Sequence, residues 1–193
     1  MSKRIFVATH NAHKLAEIAA IWPHFEIVGD NPEGVEETAS DFSGNALIKV
    51  RAIAARHRGE WCLADDSGLE VAALGGEPGV RSARYAGELA DSAANNALLL
   101  KRLGGVSDRR ANFTCAIALV APDGSEHTVI GRVFGRIAEA PSGAAGFGYD
   151  PLFWPDGEEC SFAEMPLAAK NAISHRGCAL RAAAAQIAAV EGR

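Results

Sequence analysis

A chain of 193 residues, 48 % of them hydrophobic and with a formal net charge of −5, can fill one well-packed domain. It lacks the basic surface that a non-specific grip on a nucleic-acid backbone requires. No apolar run approaches the ~20 residues of a membrane span, and the opening "MSKRIFVATH" reads as a first strand rather than a signal peptide.

Residues 4–9, "RIFVAT", are β-branched and aromatic and predict a buried strand. "NAHKLAEIAAIW" follows as a helix, with Leu15, Ile18, Ala19 and Trp22 at helical spacing and Pro23 ending it. "FEIVG" is a second strand, and residues 29–41 form a long polar loop. Ser40 or Asp41 caps a helix reaching about Arg58, with Phe42, Ala46, Val50, Ile53 and His57 on one face. "WCLAD" at 61–65 is a strand that ends on two adjacent carboxylates. "LGGEPGVRSARYAG" is loop, and "DSAANNALLLKRLGG" is a helix with a glycine stop.

The arms 112–120 and 125–137 around "APDG" predict a β-hairpin, and "SGAAGFGYDPLFW" is a glycine-rich loop running into a short strand. Beyond Met165 two helices are broken near "SHRG", the last covering about Cys178 to Val190. Strands and helices alternate early and a long hairpin comes late, which predicts an α/β fold on a mixed sheet. Cys62, Cys115, Cys160 and Cys178 form no C-x-x-C pair, so they read as reduced, packing thiols.

Five segments carry groups able to do chemistry. Asp65 and Asp66 sit where α/β sheets often place ligand chemistry, or else they close a strand-end turn. If the strand runs through position 66, the two carboxylates point to opposite faces. "THNAHK" opens a helix, where Thr9, Asn11, Lys14 and free N–H groups suit a phosphate, or where Thr9 or Asn11 simply caps. His10, His13 and Glu17 share that region, but their spacing is not that of a zinc protease. Glu33, Glu36 and Glu37 make an acidic loop, solvated or helping an aspartate to hold Mg²⁺. "GFGYDP" offers Phe147 or Tyr149 to a planar base, or packs as an aromatic turn. "KNAISHRG" gathers Lys170, His175 and Arg176, with Ser174 as a cap for the final helix.

"THNAHK", "EET", "FSGNA", "ADDSGLEV", "PGVRSARYAG", "GFGYDPLF" and "KNAISHRG", in that order, resemble the Ham1/RdgB-type inosine triphosphate pyrophosphatases, also called dITP/XTP pyrophosphatases. The likeness spans about residues 4–181; each motif alone is weak, and seven in order are specific.

The resemblance implies an elongated central mixed sheet flanked by helices, in a single domain over 1–193 with two lobes and an active-site cleft between them. It implies hydrolysis of a purine nucleoside triphosphate such as ITP, dITP or XTP to the monophosphate and pyrophosphate, with Mg²⁺, in a cytoplasmic homodimer without nucleic-acid or membrane partners. By position, Thr9, His10, Asn11, Ala12, His13 and Lys14 would meet the phosphates. Glu36 and Asp66 would hold the metal, Asp66 would also be the catalytic base, and Ser67 would touch substrate. Phe147, Gly148, Tyr149 and Asp150 would line the base pocket, completed by Lys170, His175 and Arg176, the last two donating to a 6-carbonyl that adenine lacks. His10 departs from the Gly, Ser or Asn common at its position. Two alternatives stay open: a Maf-type pyrophosphatase with another base preference, and a nucleotide-binding sensor that does not hydrolyse.

Overall fold

A computed structural model describes residues 3–31, 34–89 and 91–192; Glu33 of the acidic loop lies outside the described residues. The elements in chain order are β1 (Lys3–Val7), α1 (Ala12–Ile21), β2 (Phe25–Gly29), α2 (Phe42–Ala54), β3 (Trp61–Val71), α3 (Ser92–Arg102), β4 (Arg110–Val120), β5 (Glu126–Ile137), β6 (Phe153–Pro155), α4 (Leu167–Ile173) and α5 (His175–Glu191). The strands order β2-β1-β3-β4-β5-β6. β1 runs parallel to β2 and β3, with Ile5 opposite Ile27 and Trp61, while β5 and β6 are antiparallel with Arg136 opposite Trp154. The sheet is therefore mixed, as the order of elements predicts.

The chain divides into two compact units that share the long strands. The first comprises the chain through Asp66, Cys115–Gly131 and everything from His175 on. Its core joins Ile5 and Val7 of β1, Ile18 and Trp22 at α1, Trp61 and Leu63 of β3, Cys115, Ile117 and Leu119 of β4, and Ala179, Leu180, Ala183 and Ile187 of α5. The alanines let α5 lie close on the sheet. At Gly131 of β5 a Cβ would stand 2.2 Å from the His175 carbonyl oxygen and 2.3 Å from the Ala179 nitrogen, both backbone atoms that cannot swing aside. Gly131→Ala is expected to cost about 3 kcal/mol or more, since overpacking against backbone has no cheap relief. Urea denaturation checks it.

The second unit comprises Ser67–Thr114 and Arg132–Ser174. Its core is Leu69 and Val71 of β3, Leu99 and Leu103 at α3, Phe113 of β4, Ile137 of β5, and Tyr149, Leu152, Phe153, Phe162 and Met165. Phe113, Phe153 and Phe162 meet at centroid distances of 4.8 to 6.2 Å.

Four boundaries differ from the sequence reading. β3 does not end at Asp65 but continues to Val71, because pairing outweighs the weak strand preference of Asp, Ser and Gly. α2 stops at Ala54, and His57 instead stacks on Phe6 with its Nε2 2.6 Å from Asp30. The 72–85 stretch holds two 3-10 turns, Ala72–Leu74 and Gly79–Arg84. α5 begins at His175 rather than near Cys178, so His175 and Arg176 sit in a helical first turn and not in a loop. All four cysteines are free thiols.

Candidate active site

The two aspartates divide as strand geometry demands, one to each face of β3. Asp65 is fully buried: Arg176 Nε donates to its Oδ2 at 2.9 Å, the Cys115 thiol donates to the same oxygen at 2.9 Å, and Lys14 Nζ bonds its Oδ1. Burial alone would raise this carboxyl, but Arg176 and Lys14 outweigh it and hold Asp65 well below the usual carboxylate range. Arg176 NH1 also donates to Glu17, completing a buried chain Lys14–Asp65–Arg176–Glu17 of two cations and two anions.

Asp66 faces different company. Lys49 Nζ of α2 lies 3.2 Å from its Oδ1, 2.9 Å from the Asp65 carbonyl oxygen and 3.0 Å from Glu37 Oε1. Burial raises the Asp66 carboxyl above its ordinary value; Lys49 and Lys14 pull it down, and Glu37 and Asp65 push it further up. Burial also works against the charged Lys49, but Asp66, Glu37 and Asp65 more than compensate, so Lys49 stays protonated. Asp66 Oδ2 is buried and has no hydrogen-bond partner among the described residues.

The loop that delivers Glu37 is pinned locally. Asp41 caps α2 by accepting from the Gly44 amide at 2.8 Å, and one turn on Asn45 accepts from the Ala39 amide at 2.9 Å. Lys49 is the next residue on that face. Glu36, expected to share a cation with Asp66, is exposed, and its neighbour Glu37 reaches the Lys49 amine instead.

At the start of α1 the capping alternative is realised. Asn11 Oδ1 accepts from the His13 and Lys14 amides at 3.0 and 3.2 Å, and Thr9 Oγ1 accepts from the Asn11 amide at 3.1 Å. His10, Ala12 and His13 are exposed. Glu17 turns inward to Arg176, so His10, His13 and Glu17 do not gather; among the described residues no three or more His, Cys, Asp or Glu side chains are placed to hold a metal ion.

In the second unit the 146–150 turn is built around Asp150. Its Oδ2 accepts from the Phe147 amide at 2.9 Å and from Lys170 Nζ at 2.6 Å. That ammonium also sits 5.1 Å from the Phe147 ring centroid and 5.6 Å from that of Phe162. Gly146 has φ of 74°, and a Cβ there would fall 2.2 Å from Asp150 Oδ2, so no other residue fits. Tyr149 OH donates to the Ser82 carbonyl at 2.9 Å, and burial raises its pKa. Ser67, next on β3, is half-buried.

Arg176, which the resemblance sets beside a base, has a guanidinium that is 1 % exposed, with Nε, NH1 and NH2 bonded to Asp65 and Glu17. His175 is buried beside it. Lys49, Glu17 and Cys115 are absent from the sequence-based site. The first two carried a signal: Lys49 falls on the apolar stripe of Ala46, Val50 and Ile53, and Glu17 precedes Ile18 on the inward face of α1, where a charge needs a partner.

On this α/β sheet Asp66 thus combines a buried oxygen that has no partner among the described residues with the Lys49 ammonium against its other oxygen, and Asn11 caps the start of α1. The chain belongs to the Ham1 family, whose pattern matches residues 5–186. A dITP/XTP pyrophosphatase of Geobacter sulfurreducens is 50 % identical over 186 residues, 92 % of each chain. That of Nocardia farcinica is 47 % identical over 98 % of this chain and 97 % of its own. Among solved structures, the Staphylococcus aureus Ham1 protein superposes with a TM-score of 0.86 at 41 % identity, covering 97 % of this chain and 99 % of that one.

Proposed function

We propose that the protein is a nucleoside triphosphate pyrophosphohydrolase that converts dITP, XTP and ITP to the monophosphate and pyrophosphate, clearing non-standard purines from the nucleotide pool. The observation that carries the reading is the open Oδ2 of Asp66, buried beside the Lys49 ammonium. A buried acceptor without a partner costs about 1–3 kcal/mol, so it belongs to a site that a cation or a water completes. The kinship with dITP/XTP pyrophosphatases supports the substrate class.

Asp66 and Glu37 fit Mg²⁺, which commonly takes one or two carboxylates plus phosphate oxygens and water. Bound there, the ion supplies neutralisation of the charge that builds as the α–β phosphate bridge breaks. The side chains do the rest. Asp66, its affinity for a proton raised by burial, orients a water against the α-phosphorus and takes its proton. Lys49, bonded to both carboxylates, offsets their mutual repulsion and offers its charge to the leaving pyrophosphate. Lys14, tethered to Asp65, and the α1 N-terminus capped by Asn11 lie ready for the terminal phosphates. Base recognition is assigned to the turn Phe147–Asp150 with Lys170, and to His175, by the family likeness. Arg176 acts through Asp65.

Exchanging the two glutamates separates them: Glu37→Gln is expected to raise the Mg²⁺ concentration for half-maximal activity about tenfold, one carboxylate's share of about 1.4 kcal/mol, and Glu36→Gln to leave it within twofold. Magnesium titrations of both variants check this. The function itself is tested by pyrophosphate release from dITP, XTP, dATP and dTTP with Mg²⁺ and with EDTA. Release from dTTP but not dITP would favour the Maf-type alternative, and binding without turnover would favour the sensor. The working form is read as a homodimer in the cytoplasm, as the family likeness implies. No helix among the described residues is long and apolar enough to cross a membrane.

A further inference from the structure

The 146–150 turn is held from the α3 side by two bonds, and only one of them belongs to the turn's own side chains. Tyr149 OH reaches back to the Ser82 carbonyl at 2.9 Å. From α3, Asn96 Nδ2 donates to the Gly148 carbonyl at 3.0 Å. Gly148 has φ of 62°, a left-handed conformation in which the peptide must be fixed from outside to stay in one orientation. The neighbouring asparagine does a separate job. Asn95 is buried and binds the 3-10 segment, its Oδ1 accepting from Ala86 N at 2.7 Å and its Nδ2 donating to Ala83 O at 2.9 Å. Asn96 Oδ1 is buried yet has no hydrogen-bond partner among the described residues, so this amide is not placed for its own satisfaction.

We infer that Asn96 is a positioning residue: by fixing the Gly148 carbonyl it sets the Gly148–Tyr149 peptide, and through the turn the angle at which the Phe147 ring meets a purine. The inference rests on the reading of the 146–150 turn as the base site. The turn's other anchors locate it differently. Asp150 binds the Phe147 amide and Lys170, closing the turn on itself, and Tyr149 ties its far end to Ser82. Asn96 bonds the Gly148 carbonyl, one residue beyond Phe147, and its effect falls on ground-state binding of the base rather than on chemistry at phosphorus.

Steady-state kinetics of Asn96→Ala and Asn96→Asp with dITP and dATP, beside Phe147→Ala, test it in the full-length protein. The aspartate keeps the shape but sets an acceptor against the carbonyl, so both variants lose the bond. The expected result is a KM for dITP raised about tenfold, the equivalent of about 1.4 kcal/mol, with kcat within twofold and the dITP-over-dATP ratio of kcat/KM reduced. Unchanged melting temperatures would leave that KM effect to the turn. A loss confined to kcat, or wild-type KM in both variants while Phe147→Ala raises it, overturns the role of Asn96 alone. Wild-type KM in Phe147→Ala overturns the base-site reading and the inference with it.

Discussion

Asp66→Asn is expected to lower kcat for dITP by about a thousandfold, the middle of the range that a positioned base supplies, while the protein stays folded. The two halves of the prediction have separate causes. Activity falls because the amide neither takes a proton from water nor contributes charge to a Mg²⁺ site. Stability holds because folding disfavours the charged form of this carboxyl, as its raised pKa says; above the ordinary carboxylate range a neutral isostere removes a cost instead of a gain. Lys49 keeps Glu37 and the Asp65 carbonyl as partners. Kinetics and a thermal melt on the same preparation check both halves. Turnover within tenfold of wild type would remove Asp66 from the chemistry.

Arg176→Met is expected to act in the opposite way, first on stability. It strips the cation between Asp65 and Glu17 and leaves two buried anions against Lys14 alone. Breaking a buried pair costs about 3–5 kcal/mol, which for a chain of this size lowers Tm by roughly 10 °C. Adding Glu17→Gln to Arg176→Met is expected to restore part of the loss, because the surviving Lys14–Asp65 pair is then balanced. That non-additivity is the mark of one charge network. An Arg176→Met protein with wild-type Tm and altered base preference would contradict this account and return Arg176 to the base.

What the sequence makes legible follows from period and composition. β1, α1, β2 and the β4–β5 hairpin announce themselves through β-branched runs, helical spacing and Gly or Pro punctuation. That the two aspartates are opposed follows from the alternation of a strand; which of them works and which is structural does not, and Asp66 was singled out by the family resemblance. The length of β3 was not readable, since Asp-Asp-Ser-Gly has turn chemistry and only the neighbouring strands hold it extended. The start of α5 was hidden by Gly177, which suggests a break but sits inside a buried helical turn.

The partners of a buried charge are the least readable feature. Arg176 and Glu17 are 159 residues apart, Arg176 and Asp65 are 111 apart, and no local pattern links such positions. Which of Glu36 and Glu37 meets Lys49 is unreadable for a related reason. A loop has no period to say which of two adjacent acids turns inward, and the Lys49 amine that selects Glu37 lies on another element.

The claim at the centre is that Asp66 directs water to the α-phosphorus of a bound triphosphate. Turnover of dITP in ¹⁸O-labelled water tests it most directly, with the products separated and weighed by mass spectrometry. The account predicts one ¹⁸O atom in dIMP and none in pyrophosphate; label in the pyrophosphate would place the attack on the β-phosphorus and contradict it.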